Sequence, residues 1–124
     1  MNIIACNQWV ESEIIVNEAG REVIFTLDDC FRYHGRGAVG GVVLGFRLLQ
    51  RLTEIVSPQQ PLTRRDIALF TSFPGLGVRD VLELITRMVS EQRITVDVNF
   101  QHSDMPAGVR GSFYFRFRYQ GQCV

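Results

Sequence analysis

The stretch Tyr33-His34-Gly35-Arg36-Gly37-Ala38-Val39-Gly40-Gly41 constrains this chain more than any other. It is polar and glycine-dense, and it runs directly into Val42, Val43, Leu44, Gly45 and Phe46. Glycine opens backbone conformations that other residues avoid and lets a second group come close. The apolar residues Val42, Val43, Phe46, Leu49, Leu52, Ile55 and Val56 recur at helical spacing, which predicts a helix over residues 39–56 with one wide apolar stripe. Gly45 inside it costs about 1 kcal/mol against Ala, so it marks close packing against another backbone. The first amides of such a helix lack internal partners and carry partial positive charge. A bound anion, small ligand or metal is therefore expected at this loop.

The flanking segments supply the rest of the architecture. Residues 13–16 and 22–25 are β-branched runs joined by Asn17-Glu18-Ala19-Gly20, the pattern of a hairpin with a left-handed residue at Gly20. Thr26 and Asp29 are spaced as a capping box, which predicts a short helix over 27–34 stopped by Gly35. Residues 67–70 read as a buried strand and 78–91 as a second amphipathic helix, with Val81, Leu82, Ile85, Met88 and Val89 inward. Residues 93–100 and 112–119 alternate as half-wet strands, separated by a polar loop over 101–111. Residues 2–5 suit a short first strand, and the tail from 120 to 124 is expected to be loose. This order predicts one α+β domain spanning residues 1–124, with two main helices on one mostly antiparallel sheet.

Composition removes several functions. With 124 residues, the chain has room for one core and not two. Thirteen basic residues balance thirteen acidic ones, so no long-range field draws nucleic acid or an anionic membrane. Every basic residue is Arg, which excludes a Schiff-base lysine. Cys6, Cys30 and Cys123 are widely spaced without a CxxC, and read as reduced cytosolic thiols. No signal peptide pattern and no bilayer-length apolar run is present, so a cytoplasmic protein is expected. Arg116 and Arg118, interleaved with Tyr114 and Tyr119, read as the wet face of a strand rather than a nucleic-acid surface. The aromatic face of that last strand suggests a homodimer, because an edge strand of this kind needs cover.

The run His34-Gly35-Arg36-Gly37-Ala38-Val39-Gly40, with the helix Val42 to Arg47, resembles the opening motif of the FmdE-like family, named for a component of formylmethanofuran dehydrogenase. That motif typically reads His-Gly-His-x-Cys-Pro-Gly before an apolar helix. The family's second motif, Cys-x-x-Asp-Ala-Ile, resembles Gly77-Val78-Arg79-Asp80-Val81-Leu82. The agreement runs over roughly residues 20–100 and implies the family's α+β fold. Family members bind metal, usually taken as zinc, through these histidines and cysteines. His34 is kept here, whereas Arg36, Ala38 and Gly77 stand at the other three ligand positions. About three protein ligands are needed for such a site. The resemblance thus implies a degenerate metal site and no cofactor.

The leading expectation is a small-molecule or anion-binding module with a pocket formed by His34, Gly35, Arg36, Gly37, Gly77 and Asp80. Arg36 and free loop amides both donate to oxyanions. Asp80, in a helix's first turn, also suits a plain dipole partner, and His34 suits a helix-end histidine. An alternative is a metal-dependent enzyme or redox accessory protein in which Cys30 and His34, four apart on one helix face, hold zinc with a further ligand such as Cys6 or His102. A third expectation is an interaction component of a larger redox complex.

Overall fold

A computed structural model describes residues 13–102, 107–108 and 111–124. The expected strand over 2–5 and Cys6 lie outside the described residues. Strands β1 (Glu13–Glu18) and β2 (Arg21–Thr26) form an antiparallel hairpin with Ile14 opposite Phe25 and Val16 opposite Val23. Its turn has positive φ at both Ala19 (52°) and Gly20 (87°), the mirror-image geometry that matches strand twist. Asn17 Oδ1 accepts from Gly20 N at 3.0 Å and closes it.

Helix α1 (Leu27–His34) follows at once. Thr26 Oγ1 accepts from Asp29 N at 3.1 Å, and Asp29 Oδ2 accepts from Thr26 N at 2.8 Å, which completes the capping box. Gly35, at φ 95°, stops the helix as expected. Helix α2 (Val39–Val56) has the bounds read from its periodicity. Its buried face is Val42, Gly45, Phe46, Leu49 and Leu52. Ile55 is 45% exposed because it lies at the edge of the stripe, whereas the next residue, Val56, packs against the core.

Strand β3 (Leu62–Thr63), a 3₁₀ turn (Arg64–Asp66) and strand β4 (Ile67–Thr71) lead to helix α3 (Leu76–Thr86). That helix begins two residues earlier and ends five residues earlier than its apolar pattern suggests. Two arginines stop it. Arg64 donates to Ile85 O and Leu84 O, each at 2.8 Å, while its guanidinium lies 5.3 Å over the Phe25 ring. Arg93 donates to Thr86 O and, in a close contact, to Ile67 O. The last carbonyls of α3 thus find long-range donors, and Arg87 turns left-handed at φ 63°.

Strand β5 (Ile94–Val96) is shorter than the alternating run over 93–100, because Asp97 ends it. The Asp97 side chain accepts from Asn99 N and its carbonyl from Phe100 N, which turns the chain. A small ribbon, β6 (Ala107–Gly108) with β7 (Gly111–Ser112), precedes β8 (Phe115–Tyr119). The tail is not loose: β9 (Gln122–Cys123) folds back on β8.

The α+β class holds, and no helix among the described residues is long and apolar enough to cross a membrane. The single sheet does not hold. The strands form a three-stranded sheet ordered β2-β1-β3 and a four-stranded sheet ordered β5-β4-β8-β9. The pairs β1–β3 and β4–β5 are parallel, the others antiparallel. Tyr119 links the sheets by accepting from Thr63 N at 2.8 Å. The aromatic strand β8 lies between β4 and β9, with Phe117 and Tyr119 buried in its own core, so it is not an edge strand awaiting a second copy.

Candidate functional site

Three helix ends meet at one place. Helix α1 finishes at His34, and the loop Gly35 to Ala38 turns the chain into α2. Ala38 takes a left-handed conformation, φ 51°, ψ 45°, with no side-chain cap on the helix that follows. Its carbonyl accepts from Gly41 N at 3.0 Å and Val42 N at 3.2 Å. The start of α3 presses against this turn. A β-carbon on Gly77 would stand 2.8 Å from Val42 N and 2.9 Å from both Ala38 O and Gly41 C. One turn further down the stripe, a β-carbon on Gly45 would meet Val81 Cβ at 3.0 Å and Val78 Cα at 3.2 Å. Only glycines permit this approach, and Gly45 has the packing role its position in the helix suggests.

The approach brings Asp80 to His34. His34 Nδ1 and Asp80 Oδ2 are 2.7 Å apart, although the residues are 46 positions apart in sequence. The side chains are 9% and 29% exposed. Asp80 is therefore more than a dipole partner for α3. A carboxylate on Nδ1 fixes the ring and its tautomer, with the proton on Nδ1 in the neutral imidazole. Nε2 has no protein partner among the described residues.

The other predicted residues lie in the loop that follows α1, where the Gly35 amide is not free for a ligand because it donates to Phe31 O at 2.9 Å. Gly35, Arg36 and Gly37 are exposed, and Arg36 makes no ion pair among the described residues. Gly35 and Arg36 border a shallow, open cleft with Asp28, Phe31, Arg32 and Val39. His34, Gly77 and Asp80 are thus assembled by packing, whereas Gly35, Arg36 and Gly37 form a neighbouring loop surface.

Cys30 is 1% exposed inside the core, and burial, with a contribution from Asp29, pushes its thiol up to about 11. A buried, protonated thiol is a weak ligand and a weak nucleophile. Among the described residues no group of three or more His, Cys, Asp or Glu side chains is arranged to hold a metal ion.

A second constellation is only partly legible in the sequence. On the side of the four-stranded sheet opposite Leu69 and Phe117, Phe70 pairs in register with Thr95 and Arg116, and Ala68 with Arg118. The alternation of residues 112–119 signals the arginines, but only strand pairing sets Phe70 beside them.

Compared with known protein families, curated proteins and solved structures, the chain matches none.

Proposed function

We propose that this protein is a small-molecule-binding module that takes a small anionic ligand where α1 ends and α2 and α3 begin. The observation that carries the reading is the His34–Asp80 pair at 2.7 Å. With Asp80 holding Nδ1, the ring's other nitrogen, Nε2, is left to bond a ligand. Arg36 and the loop amide of Gly37 supply donors for the anion on the exposed side. Within this reading Arg36 and His34 both contribute to affinity.

Membership of the FmdE-like family is part of the same proposal. It is supported by the meeting of Ala38 and Gly77, the two positions where the family motif carries cysteine, beside the pair formed by His34 and Asp80. The degenerate metal site is supported by the same contact. A cysteine at Gly77 would drive its β-carbon into the backbone of α2, so the helices close over the place where a thiolate would project.

A second reading, an interaction component of a larger assembly, is favoured by exposed apolar side chains at these helix ends. Tyr33 is 50%, Val39 54% and Leu76 59% exposed.

Isothermal titration with inorganic phosphate and with malonate tests the first reading, alongside metal analysis of untagged protein purified without chelator. Saturable anion binding that weakens at least tenfold in both Arg36→Ala and His34→Gln is expected. Binding indifferent to both variants, or stoichiometric zinc lost in His34→Gln, would overturn it. Retention of a partner in pull-down that is lost in Leu76→Asp, with no anion binding, would favour the second.

A further inference from the structure

We infer that the outer face of the four-stranded sheet is a second ligand site, built for a phosphate-bearing ligand with a planar ring, of nucleoside-diphosphate size. The inference does not rest on the His34–Asp80 reading, because none of its residues belongs to that junction. Strand pairing aligns two rows across this face, Thr95–Phe70–Arg116 and Ala68–Arg118–Cys123. These residues line a cleft of about 610 Å³. Small-molecule sites typically measure about 300–1,000 Å³.

Charge selects an anion. Arg116 and Arg118 are exposed, two apart on β8, and neither forms an ion pair among the described residues. No acidic side chain lines the cleft. Arg93 also lines it, but its donors are engaged by Ile67 O, Thr86 O and the Glu91 carboxylate. In a chain of zero net charge, two guanidinium groups without ion pairs on one face are a local excess that an anion matches.

Ring chemistry selects the rest of the ligand. The Arg116 guanidinium lies 5.1 Å over the Phe70 ring. Phe70 is held in turn by the edge of Phe100, with ring centres 5.0 Å apart at 79°. Phe100 packs on Tyr114 with centres 4.8 Å apart. A guanidinium over an aromatic ring leaves its outer face for another planar group and its rim donors for oxygen. Arg118, beside Cys123, then reaches the phosphate. The base stacks at Arg116, and the phosphates bridge toward Arg118.

Cys123 is an exposed free thiol in the Arg118 row and reports occupancy directly. The test measures the rate of Cys123 modification by a maleimide, read on the C-terminal peptide, with adenosine diphosphate, adenosine, inorganic pyrophosphate or a short single-stranded oligonucleotide added. Adenosine diphosphate is expected to slow modification at least fivefold, with adenosine and pyrophosphate each much weaker. Its titration midpoint should rise about tenfold in Arg116→Ala and in Arg118→Ala, and stay unchanged in Arg36→Ala. Circular dichroism of these surface variants establishes that they fold. Absence of protection at millimolar adenosine diphosphate overturns the inference, as does equal protection by pyrophosphate alone. It is also overturned by tighter binding of the oligonucleotide, or by protection that rises with protein concentration without ligand, the mark of a second copy on this face.

Discussion

The Cα of Gly77 lies 3.2 Å from the point where a β-carbon on Gly41 would stand, so α2 and α3 cross backbone to backbone at their first turns. This crossing is a precondition for the His34–Asp80 pair, since Asp80 lies one turn beyond Gly77. Gly77→Ala must place a β-carbon against three backbone atoms within 2.9 Å. Overpacking of this kind typically costs about 1–3 kcal/mol. Gly40, in the same helix start, has nothing within 4 Å of its added carbon. Gly40→Ala should therefore be neutral or stabilising by up to about 1 kcal/mol. Urea unfolding of the two variants checks the contrast, and equal effects would show that the crossing is not tight.

The His34–Asp80 contact should appear as a coupling energy. A hydrogen bond to a charged group contributes about 1.5–3 kcal/mol; with Asp80 29% exposed, screening reduces this to about 1 kcal/mol. A double-mutant cycle of His34→Gln with Asp80→Asn measures it. Coupling near zero would mean that the two side chains do not hold one another in solution.

Cys30 should give the protein an alkaline weakness. Its thiol titrates near 11 in the fold, against an ordinary value of 9.0. Between these values the unfolded chain has released the proton and the folded chain has not, so unfolding releases protons and stability falls as pH rises. The contribution is fully present below about pH 9 and is lost between pH 9 and 11. Cys30→Ala should flatten this slope in unfolding curves collected across that range, at the cost of some packing. A thiol reagent at pH 8 should modify exposed Cys123 readily and leave buried Cys30 unmodified until the protein unfolds.

Glu83 should contribute the opposite, acidic dependence. Burial pulls its carboxyl up, but amide hydrogen bonds from Ser90 and Val89, with Arg87 nearby, outweigh that and hold it below 4.5. Its stabilisation is present above the ordinary carboxylate range and is lost as pH falls through the folded value. Glu83→Gln should cost about 1–2 kcal/mol at pH 7 and nearly nothing once the wild-type carboxyl is protonated. Thermal unfolding at pH 7 and pH 3 compares them.

The legible parts of the fold are those whose causes lie within a few residues. Asn17 to Gly20 contains its own turn chemistry, Thr26 and Asp29 form the capping box they spell, and the stripe from Val42 to Leu52 needs only a 3.6-residue period. The end of α3 is not legible, because its apolar pattern continues to Met88 and Val89 while its hydrogen bonding does not. The residues that end it, Arg64 and Arg93, are distant in sequence from its start or lie beyond its pattern. The tail is not legible either, because Gln122 and Cys123 carry no strand signal and their pairing is supplied by β8.

At the site the division is the same. The amino-acid order alone determined that a glycine loop would pass from His34 into a long helix, because glycine, capping and periodicity act locally. Tertiary structure alone decided that Asp80 closes on His34 and that Phe70 lies beside Arg116. Each of these depends on the approach of two backbones or the pairing of two strands, and such long-range contacts are set by the packing of the whole core.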